Sequence, residues 1–307
     1  TCHATSAHEV PGSRYSPTAA EGEDAILRGK EEGRNPATCR ACHGGRPHSE
    51  AMENLNNHTR KIACQTCHIP TIARGGVATK MSWDWAQAGK LKDGKKFKTK
   101  DEFGKFDYMS IKGQMKWAKH VKPEYHWYNG VIKSVTAQDK IDPAGIVKVS
   151  WPEGDRQDAN SRIYPFKVHK GNQPYDKINQ TLLMPLLSGK QGFWNHLDWD
   201  KALTIGQTSM GLPFSGEFDF VETDYVFPIT HMVAPKEKSL SCTECHSKTN
   251  SRLADLKGFY MPGRDASKLL NFAGWGAVLG SLIGVLIHAL GRFLSRGNGR
   301  NRKKEEE

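Results

Sequence analysis

The sequence contains three copies of a five-residue pattern, C-x-x-C-H, which constrains the chain more than any other feature. Two thiols three positions apart can each form a thioether with one haem vinyl group, and the histidine that follows is then placed to bind the iron. All seven cysteines of the 307-residue chain belong to these copies or to a truncated fourth one. The complete copies are Cys39-Arg40-Ala41-Cys42-His43, Cys64-Gln65-Thr66-Cys67-His68 and Cys242-Thr243-Glu244-Cys245-His246, and the chain opens on Thr1-Cys2-His3.

CxxC pairs have two other common uses. Closely spaced pairs form zinc ribbons, and a single pair can act as a redox dithiol. Neither use requires a histidine after every second cysteine, so the pattern favours covalent haem c over zinc. The predicted attachment residues are Cys2, Cys39, Cys42, Cys64, Cys67, Cys242 and Cys245, and the predicted proximal iron ligands are His3, His43, His68 and His246.

Haems that only transfer electrons need a second axial ligand, which in multihaem cytochromes is usually histidine. Several histidines stand close to the motifs, and one lies in an apolar segment where a buried imidazole needs a partner. Each of them could ligate a neighbouring haem instead of its nearest one, or could simply be a surface histidine. The predicted distal ligands are His8, His48, His58, His169 and His231.

The composition predicts a chain organised around its cofactors. Only 37% of the residues are hydrophobic, while glycine and proline number 30 and 15. Porphyrins can supply the missing apolar core, so we expect a mainly α fold with extensive irregular structure, a multihaem cytochrome c fold built around covalent haems, plus one transmembrane helix. The expected regions are 1–75 (haem-binding), 76–235 (cysteine-free and aromatic-rich, packing on haems), 236–265 (C-terminal haem motif), 269–294 (transmembrane helix) and 295–307 (cytoplasmic charged tail).

Smaller patterns predict local structure in the cysteine-free region. The lysine-rich run from Lys90 to Lys105 is typical of a solvated loop or hairpin. Alternating apolar residues from Ile141 to Trp151, with a turn at Pro143-Ala144-Gly145, predict a short pair of strands.

Residues 269–294 are almost uncharged and long enough to cross a bilayer as a helix. Arginine and lysine follow this segment, which places the C-terminus in the cytoplasm and the haem-bearing part outside. Gly276, Gly280 and Gly284 are four apart, a spacing that lets another helix approach closely, although glycines are also common in membrane helices generally. A quinol-oxidising or cytochrome b subunit is the expected partner there.

The formal charge of +11 suits an anionic substrate, an anionic membrane surface or an acidic partner. No nucleic-acid-binding motif is present. Because the chain begins inside a motif and lacks a signal peptide, we expect it to be the C-terminal part of a longer protein, whose N-terminal half carries further haems.

The motif order resembles the octahaem tetrathionate reductase family of c-type cytochromes. The residues that carry the resemblance are His58-Thr59-Arg60-Lys61-Ile62-Ala63 leading into the second motif and Ile69-Pro70 after it, Tyr128-Asn129-Gly130, Tyr164-Pro165-Phe166-Lys167-Val168-His169, and Thr230-His231-Met232-Val233-Ala234-Pro235. The resemblance implies a periplasmic protein with mostly bis-histidine haems. It also implies one special, lysine-ligated haem that reduces small sulfur or nitrogen oxyanions and lies in the N-terminal half.

Two main hypotheses follow. The chain is either the electron-transfer half of a membrane-anchored reductase of tetrathionate, nitrite or hydroxylamine, or a non-catalytic conduit from the quinol pool to a periplasmic partner. Whether it is itself an enzyme stays open, because the resemblance puts the catalytic haem outside it. A zinc-stabilised binding module is the weakest alternative.

Overall fold

The computed structural model describes residue 39 and residues 43–230 and 232–302. These residues belong to two compact units, one that extends to Ser241 and one that begins at Cys242. The first unit is dominated by a mixed sheet of ten strands. The expected mainly α fold is therefore wrong, since the cysteine-free region forms a sheet and the chain contains about 27% helix.

The described part of the first unit begins with two short helices and continues into the strands of the sheet, with two further helices before the last strand. The helices are α1 (Glu53–His58), α2 (Cys64–His68), α3 (Phe193–His196) and α4 (Trp199–Ser209). The strands are β1 (Thr79–Asp84), β2 (Lys98–Lys100), β3 (Phe106–Met109), β4 (Gly113–Ala118), β5 (Glu124–Tyr128), β6 (Ile132–Ser134), β7 (Val147–Pro152), β8 (Arg162–Asp176), β9 (Thr181–Leu182) and β10 (Phe218–Pro228).

The strand β8 is the centre of the sheet, whose order is β2-β3-β4-β1-β8-β10-β7-β6. β5 and β9 also pair with β8, and β10 lies antiparallel to it from Phe218↔Asp176 to Pro228↔Phe166. Among the strand pairs of the described residues, β1–β8 and β7–β10 are parallel. Residues 162–166 of β8 are all buried, so this part of the strand is covered on both faces and shows no polar alternation.

Two buried clusters stabilise the sheet. One joins Ala63, which directly precedes α2, to Tyr128, Tyr164, Phe166, Val168 and Val226. The other contains Ile141, Val147, Leu182 and Val221. The first cluster matters most here, because it fixes a haem-attachment motif to the central strand.

The local predictions in this region have mixed outcomes. The lysine-rich run is predicted to be a loop or a hairpin, and it forms part of the β2–β3 hairpin. The strand pair expected within 141–151 is wrong: β7 forms, but its partners are β6 and β10, because the turn at 143–145 does not return the chain onto itself.

The second unit contains α5 (Cys242–Cys245) and α6 (Lys268–Arg302). Residues 268–295 of α6 are long and apolar enough to cross a membrane, which on its own is weak evidence of a span. Large apolar side chains of this helix are exposed, among them Phe272, Trp275 and Phe293.

Candidate functional site

The second attachment motif forms α2 and is bound to the beginning of β8 through Ile163. The Ala63 N–H donates to the Ile163 carbonyl (3.0 Å), and the Ile163 N–H donates to the Lys61 carbonyl (2.8 Å). The Thr66 hydroxyl, which is 1% exposed, donates to the same Ile163 carbonyl at 2.8 Å. Thr66 lies between the two cysteines, so the motif itself is anchored to the sheet.

A buried tyrosine of β8, Tyr164, is affected electrostatically by cysteines of two motifs. Burial raises the pKa of Tyr164 well above its usual value, and the nearby Cys39, Tyr128 and Cys64 side chains raise it further. The Tyr164 hydroxyl donates to the Ile229 carbonyl at 3.1 Å. Cys39 and Cys64 are the first thiols of two different motifs.

One predicted distal histidine faces a predicted proximal one. The rings of His48 and His68 have centroids 6.4 Å apart and planes within 12° of parallel. The Nδ1 atom of His48 is buried and has no hydrogen-bond partner in the described part of the chain. His43 of the first motif, in contrast, is exposed.

The Nδ1 atoms of three other predicted ligands lie near main-chain carbonyls. The partners are Asn54 for His58 (2.5 Å), Lys80 for His169 (3.2 Å) and Pro262 for His246 (2.8 Å). Metal-binding histidines typically donate their second ring N–H in this way, which orients the ring and directs the other nitrogen to the metal. Burial also lowers the pKa of His169, which favours the neutral, metal-binding form.

The other histidines of the sheet region differ from these. His196 uses both ring nitrogens: Nε2 lies 2.9 Å from the Gln191 carbonyl, and Nδ1 accepts from the Asp198 N–H at 3.0 Å. His126 packs edge-on against Trp151. His196 therefore has no nitrogen to offer to iron in this arrangement.

The third motif is held by a local loop of the second unit. Arg252 donates to the Glu244 carboxylate from Nε (2.9 Å) and from one terminal nitrogen (2.7 Å). The Ser251 hydroxyl donates to the Cys245 carbonyl at 2.7 Å. Arg264 donates to the carbonyls of Leu253, Leu256 and Phe259 and so closes the loop.

Several predicted site residues cannot be placed. Cys2, Cys42, His3, His8 and His231 lie outside the described residues. Their predicted roles in attachment and ligation stay predictions.

The sequence reasoning missed the residues that hold the site together. Asn56, Thr66 and Tyr164 were not singled out as site residues, because their roles depend on contacts with chain segments distant in sequence. Only the burial of these side chains could have indicated their roles, and burial is not visible in one sequence.

Comparisons with known proteins agree with the motifs. Residues 80–249 match the family described as "Cytochrome c bacterial", so the chain belongs to the bacterial cytochrome c family. The crystal structure of octahaem cytochrome c from Shewanella oneidensis is similar, with 39% sequence identity over 81% of this chain and a TM-score of 0.66. This chain spans 54% of the length of that protein. No curated protein sequence matches it.

The chain is thus a multihaem c-type cytochrome, and its described residues fit haem c. The second motif directly follows Ala63 of the apolar cluster, and the rings of His48 and His68 lie 6.4 Å apart. In the described part of the chain no group of three or more His, Cys, Asp or Glu side chains is arranged to hold a metal ion. Bound haem c supplies reversible one-electron chemistry at its iron.

Proposed function

We propose that this chain is the electron-transfer part of a membrane-anchored, extracytoplasmic multihaem reductase. The observation that carries the proposal is the fixing of the second motif to β8: Ala63 packs with Tyr164 in the apolar cluster, and Thr66 is hydrogen-bonded to Ile163. A haem attached to α2 would lie beside the apolar cluster around Tyr128, Tyr164 and Phe166. The chain's own role is to hold the porphyrins in place and to shield them from water.

The proposed substrates are tetrathionate, nitrite or hydroxylamine. The resemblance to the octahaem tetrathionate reductases supports this class, and so does the basic surface. Lys80, Lys112 and Lys167 are an example, since their charges lie close enough to affect one another. Such clustered positive charge attracts small anions toward the protein.

Reduction of the substrate would take place at a haem outside this chain, which spans about half of its octahaem relative. The alternative is a conduit that passes quinol-derived electrons to a periplasmic partner. His48 and His68 are the candidate ligands of the haem at α2. A haem with two histidine ligands has no open position for a substrate, so the haem at α2 would transfer electrons under either hypothesis.

The deciding experiment has two parts, and both use protein matured in a host that attaches haem c. In the first part, mass and absorption spectra of this chain should show haems at Cys39/Cys42, Cys64/Cys67 and Cys242/Cys245. A reduced dye should then support turnover of one of the three substrates by the full-length protein. Haem attachment without turnover of any of them would favour the conduit, and stoichiometric zinc without haem absorption would reject both.

The helix α6 is proposed as the anchor. Ending the chain before Lys268 should release a haem-bearing protein with an unchanged spectrum into the soluble periplasmic fraction. If Gly276, Gly280 and Gly284 dock a quinol-oxidising subunit, their replacement by leucine should stop quinol-driven turnover while the protein stays in the membrane. Turnover that survives the replacement would leave α6 as a tether only.

A further inference from the structure

The spacing of the His48 and His68 rings fits two imidazoles that bind one metal from opposite sides. Metal–imidazole bonds are about 2 Å long, so two coplanar imidazoles on one metal have centroids about 6 Å apart. The observed values are 6.4 Å and 12°. An ordinary offset pair of rings can also reach about 7 Å, so the surroundings of His48 must decide between the two.

The main chain of His48 is held by one side chain, that of Asn56 on α1. Its Oδ1 accepts from the His48 N–H at 3.0 Å, and its Nδ2 donates to the His48 carbonyl at 3.1 Å. Asn56 is 6% exposed, so these two hydrogen bonds satisfy a buried amide. An ion pair between Arg46 and Glu53 joins the same two segments on the surface.

The ring of His48 is positioned differently from those of His58, His169 and His246. No hydrogen bond from the described polypeptide reaches its buried Nδ1, whereas a carbonyl lies near Nδ1 in each of the other three. The place of the ring is therefore set through its backbone, by Asn56. A buried ring nitrogen without a partner is costly unless a further group belongs beside it.

We propose that His48 is the second axial ligand of the haem carried by Cys64, Cys67 and His68, and that Asn56 is the positioning residue that holds it there. The segment after the first motif thus supplies a ligand to the haem of the second. This assignment deepens the proposed function and rests on haem attachment at α2. It makes that haem a cross-link between the segment after the first motif and α2.

The first test replaces the ligand in the haem-loaded full chain. His48→Ala should convert one of the attached haems from low-spin to high-spin, with the haem mass unchanged, and added imidazole should restore the low-spin signal of His48→Gly. His48→Met should keep the haem low-spin and raise its potential. His196→Ala is the matched control, because both ring nitrogens of His196 are engaged by the protein.

A second test identifies which haem is affected. In a chain with Cys64→Ala and Cys67→Ala, His48→Ala should cause no further change of spin state. In a chain with Cys39→Ala and Cys42→Ala, it should still produce one high-spin haem. The reverse result would assign His48 to the haem of its own motif and overturn the proposal.

A third test addresses Asn56. Asn56→Ala should lower the low-spin fraction of the same haem and increase its affinity for added imidazole about tenfold, the equivalent of one or two lost hydrogen bonds. Asn56→Asp keeps an acceptor for the His48 N–H. Its affinity for imidazole should therefore lie between those of the unmodified protein and Asn56→Ala. Asn57→Ala, on the exposed side of the same helix, is the control.

The failures of the two proposals are distinguishable. If mass spectrometry finds no haem on Cys64 and Cys67, the proposed function fails. If haem is attached and His48→Ala leaves every haem low-spin, only the ligand assignment fails, and the two rings form an ordinary contact. An Asn56→Ala spectrum identical to that of Asn57→Ala would remove the positioning role.

Discussion

The second and third attachment motifs have the same chemistry but are held in place by different means. In α2, Gln65 and Thr66 are buried, and the motif is bonded to Ile163 on a strand almost a hundred residues later. In α5 no residue is buried, and the supporting residues lie within about twenty positions of the motif. One motif therefore depends on the sheet, and the other depends on its own loop.

This difference predicts different roles for the two haems. A haem at α2 would complete the apolar cluster of the sheet, which already contains Ala63 and Tyr164. A haem at α5 would complete a small unit whose core consists of Leu253, Leu256 and Met261. Small units with little apolar area commonly rely on a covalent or metal constraint for stability.

The largest expected effect comes from removing each haem in turn. Cys64→Ala with Cys67→Ala should lower the unfolding midpoint of the sheet, measured by circular dichroism in the strand region. Cys242→Ala with Cys245→Ala should lose one haem by mass and leave that midpoint unchanged. Equal effects of the two double variants would contradict the comparison.

The next effect concerns Gly263, which lies directly against the third motif. Its φ is +83°, and a Cβ there would be 2.3 Å from the His246 carbonyl oxygen. Gly263→Ala should therefore displace His246, cost about 1–3 kcal/mol of backbone strain and weaken low-spin ligation at that haem. Gly258→Ala has a similar φ of +88° but open space, so it should change the stability without changing the spectrum.

A third comparison concerns two carboxylates, one in each unit. Asp176 of β8 is fully buried and accepts from the N–H groups of Ile178, Asn179 and Ser215. Burial alone would raise the pKa of Asp176, but these hydrogen bonds outweigh it and lower the pKa below 3.8. The charged form thus stabilises the fold above the unfolded pKa, and this stabilisation is lost as the pH falls through the folded pKa.

Asp176→Asn should cost about 1–3 kcal/mol at pH 7, with the loss shrinking below pH 4, in urea unfolding followed across pH. Asp265 of the second unit also has a lowered pKa, because Arg264 donates to its carboxylate. Its site is open to solvent, so Asp265→Asn should have a small effect that salt reduces. A pH-independent loss for Asp176→Asn would contradict this assignment.

The attachment motifs could be predicted from the sequence because covalent chemistry fixes their spacing, whatever surrounds them. The sheet could not be predicted in the same way. Residues 162–166 are buried on both faces, so the alternation typical of a strand is absent. Pro165 and Pro174 also lie within β8, and a proline argues against a central strand.

The ligand geometry shows a similar limit. Histidines near the motifs could be predicted as candidate ligands, but their pairing depends on how the chain folds back. His48 is closer in sequence to His43 than to His68, yet its ring faces His68. The hydrogen bonds of Asn56 that hold it there connect residues eight positions apart and have no signature in a polar run.

The smallest expected effect comes from removing one hydroxyl group beside each motif, that of Thr66 at α2 and that of Ser251 at α5. Thr66→Val removes the hydrogen bond from α2 to Ile163 and should cost the sheet about 1 kcal/mol, because the buried carbonyl loses one of its donors. Ser251→Ala removes the equivalent bond to Cys245 and a second one from the Leu253 N–H. Its cost should appear only in the second unit, as faster hydrogen exchange around residues 251–256, with the sheet unfolding as in the unmodified protein. If Ser251→Ala also lowered the unfolding midpoint of the sheet, the third motif would not be independently supported, and the two haems would stabilise one cooperative structure.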